Sequence, residues 1–123
     1  MNANLNYTKG IRAENLAAEY ILNKGYKIIE TRFKYKHGEI DIIAYDLKLN
    51  MIVFFEVKYR HSKTNFDIYS SITNRKKKLL YNSILYWLNL RDKLDSPWRF
   101  DFIGITFDNN KYELRHFEFL NLP

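Results

Sequence analysis

The chain has 123 residues and a formal net charge of +6 at pH 7, from 20 Lys and Arg against 14 Asp and Glu. Its hydrophobic fraction of 46% supports one globular core and excludes a disordered chain. The absence of cysteine excludes disulfides and thiolate metal sites, and no window approaches the roughly 18 consecutive apolar residues of a membrane span.

These totals predict one domain over residues 1–123, with its core at about 10–119, in a reducing cytoplasm. The opening MNANLNYTKG has no apolar run of the kind found in secretory signals. The positive charge favours a polyanionic partner, with nucleic acid as the first candidate, and we expect no membrane partner.

The hydrophobic pattern predicts the element order αβββαββ. The elements are a helix over 10–24 that stops at Gly25, strands over 26–35, 39–46 and 51–59, a helix from Thr73 or Asn74 to Leu90, and a hairpin of strands over 98–107 and 112–119. The second helix is long enough to join its flanking strands as a parallel crossover. We therefore expect an α/β sandwich in which helices flank a mixed sheet.

Two acids, Asp41 and Glu56, stand where a core strand prefers apolar residues. Glu56 shares one strand face with Lys58, because side chains alternate across a strand. If the hairpin loop is 47–50, counting inward brings Asp41 opposite Glu56 on the same face, whereas a slip of one residue would turn one acid away. The sequence permits this meeting without requiring it. A Glu–Lys cluster at the surface end of the sheet is the alternative.

Opposed carboxylates repel each other unless a proton or a cation lies between them. A hard divalent cation, Mg²⁺ or Mn²⁺, resolves the repulsion, because Mg²⁺ binds a couple of carboxylates and leaves room for water and phosphate oxygens. We expect Asp41, Glu56 and the Val57 carbonyl oxygen to be its ligands. Lys58 would then help to deprotonate a nucleophilic water or stabilise charge on a phosphate.

A third acid lies on the first helix. At 100° per residue, the main apolar arc of this helix consists of Ile11, Ala17, Ala18, Ile21 and Leu22. Glu14 falls inside this arc, where an acid is costly unless it is paired or binds a cation. We expect Glu14 to point at the same site, and an ion pair with a nearby Lys or Arg is the alternative.

These acids carry a resemblance to a known family. Glu14, the GEID segment with Asp41, and the EVK segment with Glu56 and Lys58 resemble the signature of PD-(D/E)xK nucleases, which have a restriction-endonuclease-like fold. The resemblance implies a metal-dependent phosphodiesterase with Asp41 and Glu56 as metal ligands and Lys58 as the catalytic lysine. It implies that Glu14 is the helix-borne acid of the resolvase branch.

From about Gly10 to the RFDFI segment at 99–103, the chain more closely resembles the small bacterial YraN-like proteins, which are grouped with Holliday-junction resolvases. Two positions depart from the pattern. Ile40 replaces the proline of the PD pair, and Lys77 stands where relatives often have glutamine. The second departure leaves the role of that position open.

Basic residues cluster near the predicted site. The segment NRKKK, residues 74–78, puts four cations at the positive end of the second helix's dipole, an arrangement that a bound phosphate would favour. The expected contacts to a nucleic-acid backbone are Arg60, Lys63, Arg75, Lys76 and Lys77. A solvated basic patch is the alternative.

Two further acids have open roles. We expect Asp101 to be structural, in an ion pair with Arg99 or with a lysine of the second helix. Glu39 is either a fourth carboxylate of the site or a residue at the exposed start of its strand. No two histidines have metal-binding spacing, so we expect no zinc site.

The leading functional hypothesis is a Mg²⁺- or Mn²⁺-dependent DNA endonuclease that acts on branched or damaged DNA. The first rival is a non-catalytic nucleic-acid-binding module that retains the nuclease fold. The second is a protein-interaction domain whose basic face meets an acidic partner. Paired incisions across a junction would need two active sites and hence a homodimer.

Overall fold

The computed structural model describes residues 2–61 and 72–120, which form one five-stranded sheet with a helix on each face. The elements are α1 (Asn2–Asn23), β1 (Tyr26–Tyr35), β2 (Gly38–Asp46), β3 (Met51–His61), α2 (Asn74–Leu90), β4 (Trp98–Asp108) and β5 (Lys111–Leu120). The strands lie in chain order, and only β3 and β4, which α2 connects, are parallel. The predicted α/β fold with an αβββαββ order and a mixed sheet is confirmed.

The helix ends follow local signals. Gly25 has φ 90° and donates its N–H to the Leu22 carbonyl at 3.0 Å, so it is the left-handed residue that ends α1. Thr73 caps α2, because its hydroxyl accepts the Lys76 N–H at 3.2 Å. Helix α1 begins at Asn2 rather than at Gly10, since one glycine costs a helix only about 1 kcal/mol and does not stop it.

The two helices cover opposite faces of the sheet. Helix α1 packs on one face through the buried side chains of Ala13, Ala17 and Ile21. Helix α2 packs on the other face through Leu80, Ile84, Trp87 and Leu88. Leu22, which was expected in the apolar arc of α1, is 55% exposed, so the buried stripe is rotated toward Ala13. Neither helix in the described ranges has the length and apolar character to cross a bilayer.

The hairpin that was predicted to align the two acids has the expected register. Strand β2 ends at Asp46, β3 begins at Met51, and these two residues are paired. Asp46 Oδ1 accepts the backbone N–H groups of Lys48 at 3.0 Å and Leu49 at 3.3 Å, which closes the intervening turn. The one-residue slip that would have turned an acid away is therefore excluded.

Strand β2 is irregular at Asp41. Residues two apart on a regular strand share a face, yet Ile42 packs toward α1 and Ile40 packs toward α2. On β1, Arg32 occupies the register position opposite Asp41 and has φ 54°. Both strands thus depart from regular geometry at one level of the sheet, which re-aims the side chains there.

Candidate active site

The carboxylate of Asp41 binds the neighbouring strand. Backbone pairing of β2 with β3 extends from Asp46 and Met51 to Ile42 and Phe55. Immediately beyond it, the Val57 N–H donates to Asp41 Oδ2 at 2.7 Å. A side chain therefore replaces the backbone acceptor at the point where the strand pairing ends.

Asp41 and Glu56 line one pocket of about 310 Å³. The other residues that line it include Gly38, Glu39, Val57, Lys58, Lys76 and Leu79. Strands β2 and β3 supply the acids and one lysine, and the first turn of α2 supplies the other lysine. The structure thus brings Asp41, Glu56, Val57 and Lys58 together.

Glu56 is buried between two ammonium groups. It is 5% exposed, and its Oε1 lies 3.8 Å from Lys58 Nζ and 3.4 Å from Lys76 Nζ. The Thr73 cap and the start of α2 place Lys76 over the acid. Sequence reasoning assigned Lys76 to nucleic-acid contact and missed this ion pair, because no sequence pattern specifies how α2 meets β3.

Burial shifts the pKa values of Asp41, Glu56 and Lys58. Burial and the nearby Glu56 carboxylate raise the pKa of Asp41 from 3.8 to about 8, against the opposing hydrogen bond from Val57. Burial also raises the pKa of Glu56, although Lys76 and Lys58 oppose the shift. Burial and the adjacent Lys76 lower the pKa of Lys58. Additional positive charge in this pocket would favour the ionised form of both acids.

Glu14 forms an ion pair with Arg32, which lies on β1. Its Oε2 accepts from Arg32 Nη2 at 2.6 Å and from Arg32 Nε at 3.0 Å, and its side chain is 26% exposed. The sequence left an ion pair with a nearby Lys or Arg open as the alternative for Glu14, and the structure shows such a pair. Glu14 still lies near Asp41: its charge contributes to the raised pKa of Asp41, and the two acids line an adjoining pocket of about 220 Å³.

The expected convergence of three acids on one point is therefore not observed. Glu14 lies at the edge of the α1 packing face, where Arg32 is close enough to bind it. Within residues 2–61 and 72–120, no three His, Asp or Glu side chains form a group that could hold a metal ion. The pocket itself has two principal acids, Asp41 and Glu56, with Glu39 at its margin.

The carboxylate oxygens of the pocket suit a hard divalent cation that keeps some of its bound water molecules. Asp41 and Glu56 supply two carboxylates, and Val57 lines the same pocket. Mg²⁺ and Mn²⁺ prefer such oxygen ligands, and Mg²⁺ commonly uses only one or two carboxylates beside waters and phosphate oxygens. Because burial disfavours the ionised acids, a cation there would relieve an existing electrostatic cost.

Of the remaining predicted site residues, one lines the pocket and the others lie elsewhere on β3 and α2 or outside the described residues. Glu39 is exposed yet lines it, and its charge raises the pKa of both Asp41 and Glu56. Arg60 is half-buried near the end of β3, Arg75 is exposed on the first turn of α2, and Lys77 is half-buried there. Lys63 lies outside the described residues.

A separate buried network occupies the α1 face of the sheet. Arg99 pairs with Asp101 at 3.0 Å and with Asp46 at 3.0 Å, and Asp101 Oδ2 lies 2.7 Å from His116 Nε2. The predicted ion pair of Asp101 with Arg99 is confirmed. His116 and Asp46 were missed, although the alternation of Arg99 and Asp101 on one strand face was a usable signal.

The fold and the pocket define a small α/β domain in which the central strands of a mixed sheet carry an acid–lysine cluster. The family model described as "Uncharacterised protein family UPF0102" matches residues 13–105. That span contains Glu14, Asp41, Glu56, Lys58 and Lys76. The chain belongs to the UPF0102 family.

Relatives described as UPF0102 proteins match along most of their length. The one from Thermodesulfovibrio yellowstonii is 40% identical over 109 residues, which cover 89% of this chain and 91% of the relative. The one from Geobacter metallireducens is 38% identical over 111 residues, which cover 90% and 89%. The one from Coxiella burnetii is 37% identical over 100 residues, which cover 80% and 82%. The YraN-like resemblance is confirmed at the level of this family, and the PD-(D/E)xK relationship stays a prediction.

Proposed function

We propose that this protein is a divalent-metal-dependent DNA endonuclease of the PD-(D/E)xK type that acts on branched or damaged DNA. One observation carries the proposal: Asp41 and Glu56 share a pocket at the end of their strand pairing, with Lys58 and Lys76 beside Glu56. A Glu–Lys cluster of the ordinary surface kind would be solvated. Here Glu56 is 5% exposed, and burying an ionisable group costs free energy. Ionisable groups that are buried at this energetic cost are typical of functional sites.

In this proposal Asp41 and Glu56, with the Val57 carbonyl, hold Mg²⁺ or Mn²⁺. When bound, the cation supplies Lewis-acid stabilisation of a phosphate. Lys58 lines the same pocket with its Nζ 3.8 Å from Glu56 Oε1, where it would help to deprotonate an attacking water or stabilise charge on the phosphate. Lys76, on the other side of Glu56, stabilises negative charge that develops on the phosphate.

Glu14 has an indirect role in this proposal. It holds Arg32 beside the pocket that Asp41 also lines. Arg32 is thereby kept close to the position of the phosphate, where a guanidinium binds phosphate oxygens well. Glu14 acts as a positioning residue for that cation rather than as a third ligand.

Binding to the DNA backbone would rest on positive charge. The net charge of +6 and the cations Arg60, Lys63, Arg75 and Lys77 favour phosphate contacts that do not depend on sequence. Paired incisions across a branched junction would require two copies of the site. We therefore propose a homodimer on such substrates, to be tested by analytical ultracentrifugation with and without four-way DNA. A cytoplasmic location stays a prediction.

A nicking assay tests the proposed activity. Supercoiled plasmid and a four-way DNA junction are incubated with Mg²⁺, with Mn²⁺ or with EDTA, using the wild type, Lys58→Ala, Glu56→Gln and the control Lys48→Ala. We expect nicking by the wild type only with a divalent metal, and losses of about 100-fold or more for the two site variants. Lys48 is exposed in the turn after β2, so its variant should retain activity. Equal cleavage by Lys58→Ala would contradict the role given to that lysine.

A non-catalytic DNA-binding module is the second candidate, and one observation favours it. Glu56 already has Lys58 and Lys76 as counter-ions, so its charge is compensated without a metal. Calorimetric titration with Mn²⁺ distinguishes the two candidates. Heat of binding that disappears in Glu56→Gln supports the nuclease, whereas no metal binding together with salt-sensitive DNA affinity supports the module.

A further inference from the structure

Another cavity, on the α2 side, adjoins the candidate active site. It has a volume of about 520 Å³ and lies between the end of β1 and the outer surface of α2. Among the residues that line it are Tyr35, Lys36, Leu79, Asn82, Tyr86 and Leu94. We call this cavity the aromatic groove.

The aromatic groove contains stacked tyrosine rings. The rings of Tyr35 and Tyr86 stack with a centroid distance of 4.0 Å and an interplanar angle of 17°. Tyr86 is 39% exposed, although the core on this face is closed by other side chains of α2. Lys36 Nζ lies 5.3 Å from the centroid of the Tyr35 ring. Flat rings beside a cation are the combination that proteins use for a base and its phosphate.

The groove adjoins the acid pocket. Leu79 lines both cavities, and the turn after β1 contributes Lys36 to the groove and His37 to the pocket. A strand of nucleic acid with a phosphate at Asp41 and Glu56 can therefore pass over Leu79 into the groove.

We propose that the aromatic groove binds the base of an unpaired nucleotide next to the phosphate at Asp41 and Glu56. The position of that phosphate rests on the proposed function, and the groove specifies the substrate as DNA with a single-stranded segment. A base within a duplex is stacked on both faces by its neighbours, so only an unpaired base can offer a free face to the tyrosines. Lys36 supplies the positive charge for the adjoining phosphate.

Binding without divalent metal tests the groove separately from cleavage. Fluorescence anisotropy in EDTA compares a blunt duplex with the same duplex carrying a single-stranded tail. We expect the tail to increase wild-type affinity, and Tyr86→Ala to weaken binding of the tailed DNA by about 5- to 100-fold. Binding of the blunt duplex should change by less than about twofold, because phosphate contacts alone hold it.

Two variants control for folding and for surface aromatics. Tyr86→Phe retains the ring and should bind tailed DNA as the wild type does. Tyr112, which is 48% exposed on β5, provides Tyr112→Ala as a matched removal of an exposed ring. Unchanged binding of tailed DNA by Tyr86→Ala, or equal losses on tailed and blunt DNA, would overturn the proposal.

The failures of the two proposals are distinguishable. If tailed DNA binds in a Tyr86-dependent way while no DNA is cut in any metal, the groove is supported and the nuclease activity is refuted. If the wild type cuts tailed DNA and Tyr86→Ala binds and cuts it equally well, the groove is refuted and the nuclease activity is supported.

Discussion

The Val57 N–H donates to Asp41 Oδ2 at 2.7 Å, one step beyond the last backbone pair of β2 and β3. This hydrogen bond connects the edge of the pocket to the sheet, so the position of the carboxylate depends on strand register rather than on a flexible loop. It also uses one oxygen of Asp41 for a structural hydrogen bond.

The first prediction concerns the pH dependence of stability. The pKa of Asp41 is raised to about 8 in the folded chain from 3.8, so the folded state binds more protons than the unfolded state between those values. Without divalent metal, this group therefore makes the free energy of unfolding fall as the pH rises through that window. Asp41→Asn should reduce the fall, leaving the part due to Glu56, and be more stable than the wild type at about pH 8, by about 1–3 kcal/mol.

Urea unfolding in EDTA at about pH 5 and about pH 8 measures this effect. Asp95→Asn is the control, because Asp95 is exposed in the segment after α2. Parallel pH profiles for the wild type and Asp41→Asn would show that Asp41 ionises normally.

The second prediction separates two adjacent lysines. Among the described residues, Lys76 lines the pocket with its Nζ 3.4 Å from Glu56 Oε1, whereas Lys77, which is also half-buried on the same turn of α2, does not line it. Lys76→Met should reduce the free energy of unfolding by about 1–2 kcal/mol without metal, because a buried carboxylate loses a counter-ion. Lys77→Met should change it by less than about 0.5 kcal/mol. Chemical denaturation measures both, and equal effects would mean that Lys76 does not compensate Glu56.

The third prediction concerns the close contact of β2 with α2. A Cβ atom on Gly38 would overlap Ser83 Oγ and lie 2.9 Å from the Leu79 carbonyl oxygen. Gly38→Ala should therefore lower stability by about 1–3 kcal/mol. It should also reduce metal binding, because the displaced helix carries Lys76 and Leu79 of the pocket.

Gly10→Ala is the matched control, since its Cβ would make only an ordinary 3.7 Å contact with Tyr59. This variant should stabilise α1 by about 0.5–1 kcal/mol, because alanine favours a helix over glycine. Adding Ser83→Ala to Gly38→Ala should restore little, because the backbone carbonyl of Leu79 remains. Full recovery of stability in the double variant would show that the added Cβ atom clashes with the Ser83 hydroxyl alone.

The fourth prediction concerns the buried network on the α1 face. Arg99 is 3% exposed and pairs with Asp101 and Asp46. Arg99→Met leaves both acids without this counter-ion, and we expect a loss of about 3–5 kcal/mol in the free energy of unfolding. The pair of Arg115 and Glu113 has the same 2.9–3.0 Å geometry at 60% and 66% exposure. Arg115→Met should therefore lower the free energy of unfolding by less than about 1 kcal/mol, because solvent screens an exposed pair. Thermal or urea unfolding of both variants measures the difference.

Local sequence patterns were sufficient to predict the helices and strands and the register of the β2–β3 hairpin. Alternation and helical period predicted the order αβββαββ, and Gly25 marked the end of α1 because only glycine adopts φ 90° without strain. The predicted hairpin loop at 47–50 then led to the pairing of Asp46 with Met51, which continues to Ile42 with Phe55, since a turn of known length determines pairing between consecutive strands. These features depend on residues that are near one another in the chain.

Contacts between distant segments were decided only by the folded chain. Glu14 binds Arg32 because packing of α1 rotates its buried stripe toward Ala13. Lys76 reaches Glu56 because Gly38 admits α2 close to the sheet. No periodicity encodes such distances, since they result from how whole elements pack against each other and not from the conformation of any one segment.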